Sequence, residues 1–160
     1  MTFAASVCVV VGFSGYLVGS VVLAATDLRS HRLPTRIVYA VLGLGALMLT
    51  TAAGLDGAWS RLGLAAGCAA GLTGVFWLCW YFGQMGRGDV RLAAVLGLYL
   101  GWLGLRYLYL GLVVGMIAAT IAVVAAAALD RRRITFGDTA AYGAYLCAGS
   151  WLAIVAAAAR

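Results

Sequence analysis

The chain has 160 residues, of which 65% are hydrophobic and only 10% charged, with a mean hydropathy of +1.04. That composition lies far from ordinary soluble domains and excludes a water-soluble globular protein. The formal charge of +6 comes from arginine alone, without lysine; these arginines lie in short breaks between apolar runs, where membrane topology accounts for them better than nucleic-acid binding does.

Runs of about 20 apolar residues can cross a hydrocarbon core roughly 30 Å thick. Six spans are expected, over residues 3–25, 37–55, 62–84, 92–105, 107–129 and 139–159. The fold class is therefore an all-α membrane protein, a polytopic bundle of about six transmembrane helices, with residues 1–160 forming one transmembrane domain. The first run ends in Ala24-Ala25-Thr26, yet no Lys or Arg precedes it and it exceeds a signal-peptide core, so it reads as a retained span. A polar break follows, Asp27-Leu-Arg-Ser-His-Arg-Leu-Pro34. The third break contains Gly86-Arg-Gly-Asp89-Val-Arg-Leu92. Span 4, at 92–105, would be only roughly 21 Å long, short of the membrane core. Drawing residues 87–91 into its helix repairs the deficit and puts Asp89 at or just inside the lipid boundary, with Arg87 and Arg91 snorkelling outward. Span 5 follows a break at Arg106, and span 6 follows the polar segment 130–138.

The arginines set the orientation. Arg29, Arg32, Arg36, Arg87, Arg91 and Arg131–Arg133 follow spans 1, 3 and 5, while only Arg61, Arg106 and Arg160 fall on the other side. The positive-inside rule then puts both termini outside and the breaks after spans 1, 3 and 5 in the cytoplasm. Asp27 and Asp89 are separated by two crossings and share the cytoplasmic face. Glycines recur four residues apart at Gly15/Gly19, Gly63/Gly67/Gly71, Gly97/Gly101 and Gly111/Gly115, the interval that lets helix backbones approach closely in lipid.

Chemistry has few candidates. The acidic residues are five aspartates, Asp27, Asp56, Asp89, Asp130 and Asp138. The four cysteines lie singly in apolar runs and read as small buried hydrophobes; with one histidine, His31, they make no metal set. No metal and no cofactor are expected. His31 reads as an interfacial loop residue, and Trp77, Trp80 and Tyr81 suit the membrane interface. Asp56 lies on the opposite face, and Asp130 pairs with the neighbouring arginines. Asp138 reads first as an N-cap of span 6 or a partner of Arg131–Arg133, and otherwise as a residue tuning the proton affinity of the other two. Ionisable residues at a membrane span are functional candidates by default. Structural roles compete with that reading: a helix-end carboxylate paired with Arg29 or Arg32 for Asp27, and an N-cap of span 4 for Asp89. Two carboxylates a few ångströms apart share one proton and titrate as a pair. The ionised member can take a proton from attacking water, and the protonated one can polarise a carbonyl and help protonate the leaving amine. Gly86 and Gly88 would let backbone approach a substrate strand, and Pro34 pins the entry to span 2.

The two aspartate segments resemble those of the type IV prepilin peptidases, membrane aspartic proteases with a G-x-G-D motif. The first family motif, an aspartate followed by a hydrophobic-Pro-Asn turn, is matched by Asp27 and Leu33-Pro34-Thr35, with threonine in place of asparagine. The second is matched by Gly86, Gly88, Asp89 and Leu92, with Arg91 where lysine is usual. Gly97-Leu-Tyr-Leu-Gly101 is similar to the helix that follows in the family, and Phe136-Gly137 partly matches a Phe-Gly-Pro element in which Asp138 replaces proline. The resemblance implies a cytoplasm-facing protease of the inner (plasma) membrane with Asp27 and Asp89 as catalytic dyad. Pro34, Gly86, Gly88, Arg91, Gly137 and Asp138 would support the motif or the substrate. The implied partners are a prepilin-like precursor, whose basic leader would be cut, and membrane lipid. The short form resembles the peptidases of Flp-type (tight adherence) pili. Longer members carry an insert with paired C-x-x-C motifs associated with N-methylation; residues 27–36, which connect the first two spans, leave no room for it, so methyl transfer is not expected. The rival reading is a non-enzymatic transporter or a pilus or secretion assembly subunit with the same fold. Neither the particular pilin nor the oligomeric state is encoded in these patterns.

Overall fold

The computed structural model describes residues 2–30, 34–83, 86–130 and 142–159. Among them are six helices and no strand: α1 Phe3–Ser30, α2 Thr35–Asp56, α3 Trp59–Tyr81, α4 Arg87–Leu103, α5 Leu105–Asp130 and α6 Tyr142–Ala158. The all-α membrane bundle read from the sequence is the fold observed. By length and composition α1, α2, α3 and α5 contain segments able to cross a membrane. At 17 residues each, α4 and α6 are about 26 Å long.

Helix ends follow local chemistry. α1 runs past the apolar stretch to Ser30, because Leu28 and Arg29 are good helix formers and no glycine or proline intervenes before Pro34. Asp27 therefore sits in the last turns of a helix, and the loop expected from residue 26 does not begin there. Pro34 is the N-cap of α2 in an extended conformation, and its carbonyl accepts the N–H groups of Ile37 and Val38 at 3.0 and 3.3 Å. α2 stops at Gly57, whose φ of 65° closes the helix with an N–H donated to the Ala53 carbonyl. The break expected at Arg106 falls instead at Gly104, whose φ of 120° is open to glycine and strained for other residues. Arg106 lies in the first turn of α5, its guanidinium 4.6 Å from the Tyr107 ring centroid. At the other boundary α4 does begin at Arg87, as the length argument required.

α4 is the central helix. It packs against α2, α3, α5 and α6, and every residue from Val95 to Trp102 is buried. Its Tyr99 ring lies 4.6 Å from Tyr16 and 5.3 Å, edge-on, from Phe13, both of α1. It also rests against Gly45 of α2 and donates its hydroxyl to the Val41 carbonyl at 3.2 Å. Outward faces carry exposed aliphatic residues such as Val10, Val18, Leu47, Ile117, Ile121 and Val155, as lipid-facing helices do. Apolar burial gains little against lipid tails, so close backbone packing and interhelical hydrogen bonds must hold the helices together.

Glycine supplies that closeness at three of the four expected stripes. Gly15 and Gly19 of α1 are filled by Leu44 and Val41 of α2. A Cβ on Gly97 would stand 2.5 Å from the Ala69 Cα of α3. Gly111 and Gly115 of α5 face Ser150 and Leu146 of α6, where Gly149 meets their backbone in return. The fourth stripe differs: Gly63, Gly67 and Gly71 have no neighbour within 4 Å and are exposed. They line a shallow lipid-side cavity of about 420 Å³ with Leu72, Val75 and Leu108. Buried hydroxyls and an indole are paired within and across helices. The Tyr16 hydroxyl meets Ser150 Oγ, Ser150 donates to the Cys147 carbonyl at 2.6 Å, and Trp151 Nε1 donates to Ser20 Oγ at 2.9 Å.

Candidate active site

The C-terminal end of α1 and the N-terminal ends of α2, α4 and α6 gather at one end of the bundle. The opposite end is tied by the Thr2 N–H donating to Asp56 Oδ1 at 2.7 Å. Asp27 comes to the gathered end on α1 and Asp89 on α4. Each is only 6% exposed, and the two carboxylates lie within electrostatic range of one another. Burying an unpaired carboxylate is costly, and each has a backbone N–H close by.

Asp89 occupies the third position of α4, after the N-cap Gly86, Arg87 and Gly88. It is not the N-cap. Its own N–H donates to the Gly86 carbonyl at 3.2 Å, the Gly86 N–H lies close to its carboxylate, and an acid in the first turn is favoured by the helix dipole. Asp27 reaches its donor across the bundle: Ala144 N–H, in the first turn of α6, meets Asp27 Oδ2 at 3.1 Å. One turn further along α6, the buried Cys147 lies within electrostatic range of both aspartates.

The expected supporting residues divide. Gly86 is extended, with φ −77° and ψ 151°, so glycine is not demanded there by backbone angle. A Cβ added to it would sit 3.4 Å from Asp89 Oδ2, so what glycine leaves open is space beside the carboxylate. Gly88 lies in the first turn of α4 and is half-buried. Arg91 does not simply snorkel: its guanidinium donates to Thr35 Oγ1 at 2.7 Å. Two of the departures from the resembled motifs, threonine at 35 and arginine at 91, thus touch each other and tie the start of α2 to α4. Arg87 lies over Trp80 at 4.9 Å, beside exposed Trp77, Tyr81 and Phe82. Gly137 and Asp138, with Phe136, His31 and Arg131–Arg133, lie outside the described residues.

Sequence reasoning missed the Ala144 amide, which as a backbone donor has no residue signature, and the Thr35–Arg91 pair, whose members are 56 positions apart. It also read Cys147 only as filler. No cluster able to hold a metal ion occurs among the described residues. Chemically, two buried carboxylates within electrostatic range of one another are candidates for a proton-sharing pair suited to activating water against a carbonyl.

Residues 14–131 match the model of the type IV leader peptidase family. The match takes in Asp27, Pro34, Gly86, Gly88, Asp89 and Arg91 and ends ahead of α6. Nothing among curated proteins or solved structures matches the chain.

Proposed function

Because this chain belongs to the type IV leader peptidase family, we propose that it is an aspartic endopeptidase of the inner (plasma) membrane with Asp27 and Asp89 as its catalytic dyad. Its substrates are prepilin-like precursors, of the Flp (tight adherence) type in particular, whose short basic leader is removed at the cytoplasmic face. Residues 1–160 act as one transmembrane peptidase domain with both termini outside. The observation that carries this reading is that Asp27 and Asp89, each almost wholly buried, lie within electrostatic range of one another at the end of the bundle that also holds Arg91.

In this reading the pair holds one proton. Water attacks the scissile carbonyl as the ionised carboxylate takes its proton, and the protonated carboxyl gives its own proton to the carbonyl oxygen. The resulting gem-diol then breaks its C–N bond. The first carboxyl passes its proton to the departing amine, and a diol proton returns to the second. One water is consumed and the pair returns to its starting state.

The test is processing of a co-expressed prepilin-like precursor, followed as a mobility shift and by N-terminal mass. Asp27→Asn and Asp89→Asn each lower the cleavage rate by at least roughly 1,000-fold at unchanged membrane levels. Full processing by either variant overturns the dyad and favours a non-enzymatic role for the fold.

A further inference from the structure

The helices that carry the two aspartates repeat one pattern in opposite directions. On α1 a buried stripe reads Tyr16, Ser20, Leu23 and Asp27, at spacings of four, three and four residues. On α4 it reads Asp89, Leu92, Leu96 and Tyr99, at spacings of three, four and three. Such intervals keep each set on one face of its helix. α1 runs towards the gathered end of the bundle and α4 away from it, so each stripe has its aspartate at that end and its tyrosine deeper in. The depths agree. Asp27 lies eleven residues from Tyr16 and Asp89 ten from Tyr99, about 16.5 Å and about 15 Å at 1.5 Å per residue. The two tyrosine rings meet, with centroids 4.6 Å apart. Both α1 and α4 pack on α2 and α6, and the far end of each ring is fastened to one of those two helices. Tyr99 donates to the Val41 carbonyl of α2 at 3.2 Å and fills the space that Gly45 leaves, where a Cβ would stand 2.5 Å from its hydroxyl. The Tyr16 hydroxyl meets Ser150 Oγ of α6. Phe13 closes the ring pair edge-on against Tyr99.

We infer that Tyr16 and Tyr99 are positioning residues of the site: their ring contact fixes the height of α1 against α4 and so holds Asp27 and Asp89 level, about three turns away. The inference rests on the dyad reading above and gives it a mechanical basis. Aliphatic contacts are non-directional. A ring held at both ends, by its Cβ on one helix and its hydroxyl on another, resists the sliding of one helix past the other. Two such rings in contact couple α1, α2, α4 and α6, the four helices whose ends gather around the aspartates. A slip of one residue along either helix would offset the carboxylates by about 1.5 Å in height, and a catalytic pair tolerates little of that. Both tyrosines act through their helices and reach no reacting atom. A ring serving only as filler would matter through stability alone, and that difference is measurable.

The experiment separates the ring contact from the stability of the bundle. Tyr16→Leu and Tyr99→Leu remove the contact, whereas Tyr16→Phe and Tyr99→Phe keep it and lose one hydroxyl each. Ser150→Ala weakens the bundle while leaving both rings in place. Cleavage of a purified prepilin-like precursor is measured in detergent, well below the thermal transition of each variant, with KM and kcat separated. Both leucine variants lose roughly 100-fold in kcat, the cost of a misplacement of about 1 Å, with KM within about threefold of wild type. The phenylalanine variants and Ser150→Ala keep kcat within about fivefold, although Ser150→Ala unfolds earlier. Leucine variants within about fivefold of wild type, phenylalanine variants as slow as the leucine ones, or a Ser150→Ala enzyme slowed as much, overturn the inference. Should the leucine variants fail to accumulate, Gly45→Ala decides, because its Cβ displaces the Tyr99 ring without removing it. Its kcat falls at least roughly tenfold at unchanged KM, and an unchanged kcat overturns the inference. Asp27→Asn and Asp89→Asn run alongside. If both are inactive while the leucine variants keep their rate, only the levelling role fails; if either processes the precursor, the dyad fails and this inference with it.

Discussion

Gly97→Ala is the sharpest probe of how packing controls the site. A Cβ at Gly97 would lie 2.5 Å from the Ala69 Cα, 2.6 Å from the Cys68 carbonyl oxygen and 2.7 Å from the Ala69 nitrogen. All three are backbone atoms of α3, so no side chain can rotate away. Ordinary carbon contacts begin at about 3.5 Å, and α3 and α4 must part by about 1 Å. Overpacking of this kind costs about 1–3 kcal/mol. The roughly 1 kcal/mol by which alanine outranks glycine in a helix offsets only part of it. Asp89 is eight residues along the same helix, about 12 Å away at 1.5 Å per residue, and moves with it. A misplacement of about 1 Å at a catalytic group costs on the order of 100-fold. Precursor cleavage by Gly97→Ala therefore falls roughly 100-fold at equal protein level, with an earlier thermal transition in detergent. Gly63→Ala is the matched control, since that site has no neighbour within 4 Å; its rate and transition match wild type or better. A Gly97→Ala enzyme within threefold of wild type, or a Gly63→Ala enzyme equally impaired, would refute the reasoning.

Two further outcomes are expected. Ser150→Ala leaves the buried Tyr16 hydroxyl without its partner and destabilises the bundle by about 1–3 kcal/mol. Adding Tyr16→Phe removes the stranded group and recovers part of that loss, which thermal unfolding of the single and double variants in detergent will read; a double variant weaker than Ser150→Ala rejects it. Thr35→Val and Arg91→Leu remove the two ends of one bond, so a double-mutant cycle on cleavage rate returns a coupling of about 0.5–1.5 kcal/mol. Simple additivity would mean the pair does no joint work.

What the sequence made legible was whatever hydropathy and charge control. The six helices, the shared end of Asp27 and Asp89 and the start of α4 at Arg87 all follow from run lengths, parity and span length. Boundaries drawn at the first polar residue failed where polar residues simply continue a helix. Asp27 is helical because polar residues can continue a membrane helix past its apolar run where no glycine or proline interrupts them. Gly86 takes the cap that Asp89 was a candidate for, because the helix starts three residues earlier than an aspartate cap would place it. The glycine stripes show the limit most clearly. Gly63, Gly67 and Gly71 have the same spacing as Gly97 and Gly101, yet only the latter face another helix. Spacing reports that a face is small; which neighbour meets that face depends on the assembled bundle.

The enclosure of α4 has a consequence for how this protein responds to its surroundings. A helix flanked by α2, α3, α5 and α6 has its height fixed by protein neighbours, whereas lipid-facing helices tilt or stretch the bilayer around them when lengths disagree. Asp89 rides on the enclosed one. Thinner or thicker host membranes will therefore rearrange the outer shell of helices and leave Asp89 at nearly constant depth within the bundle.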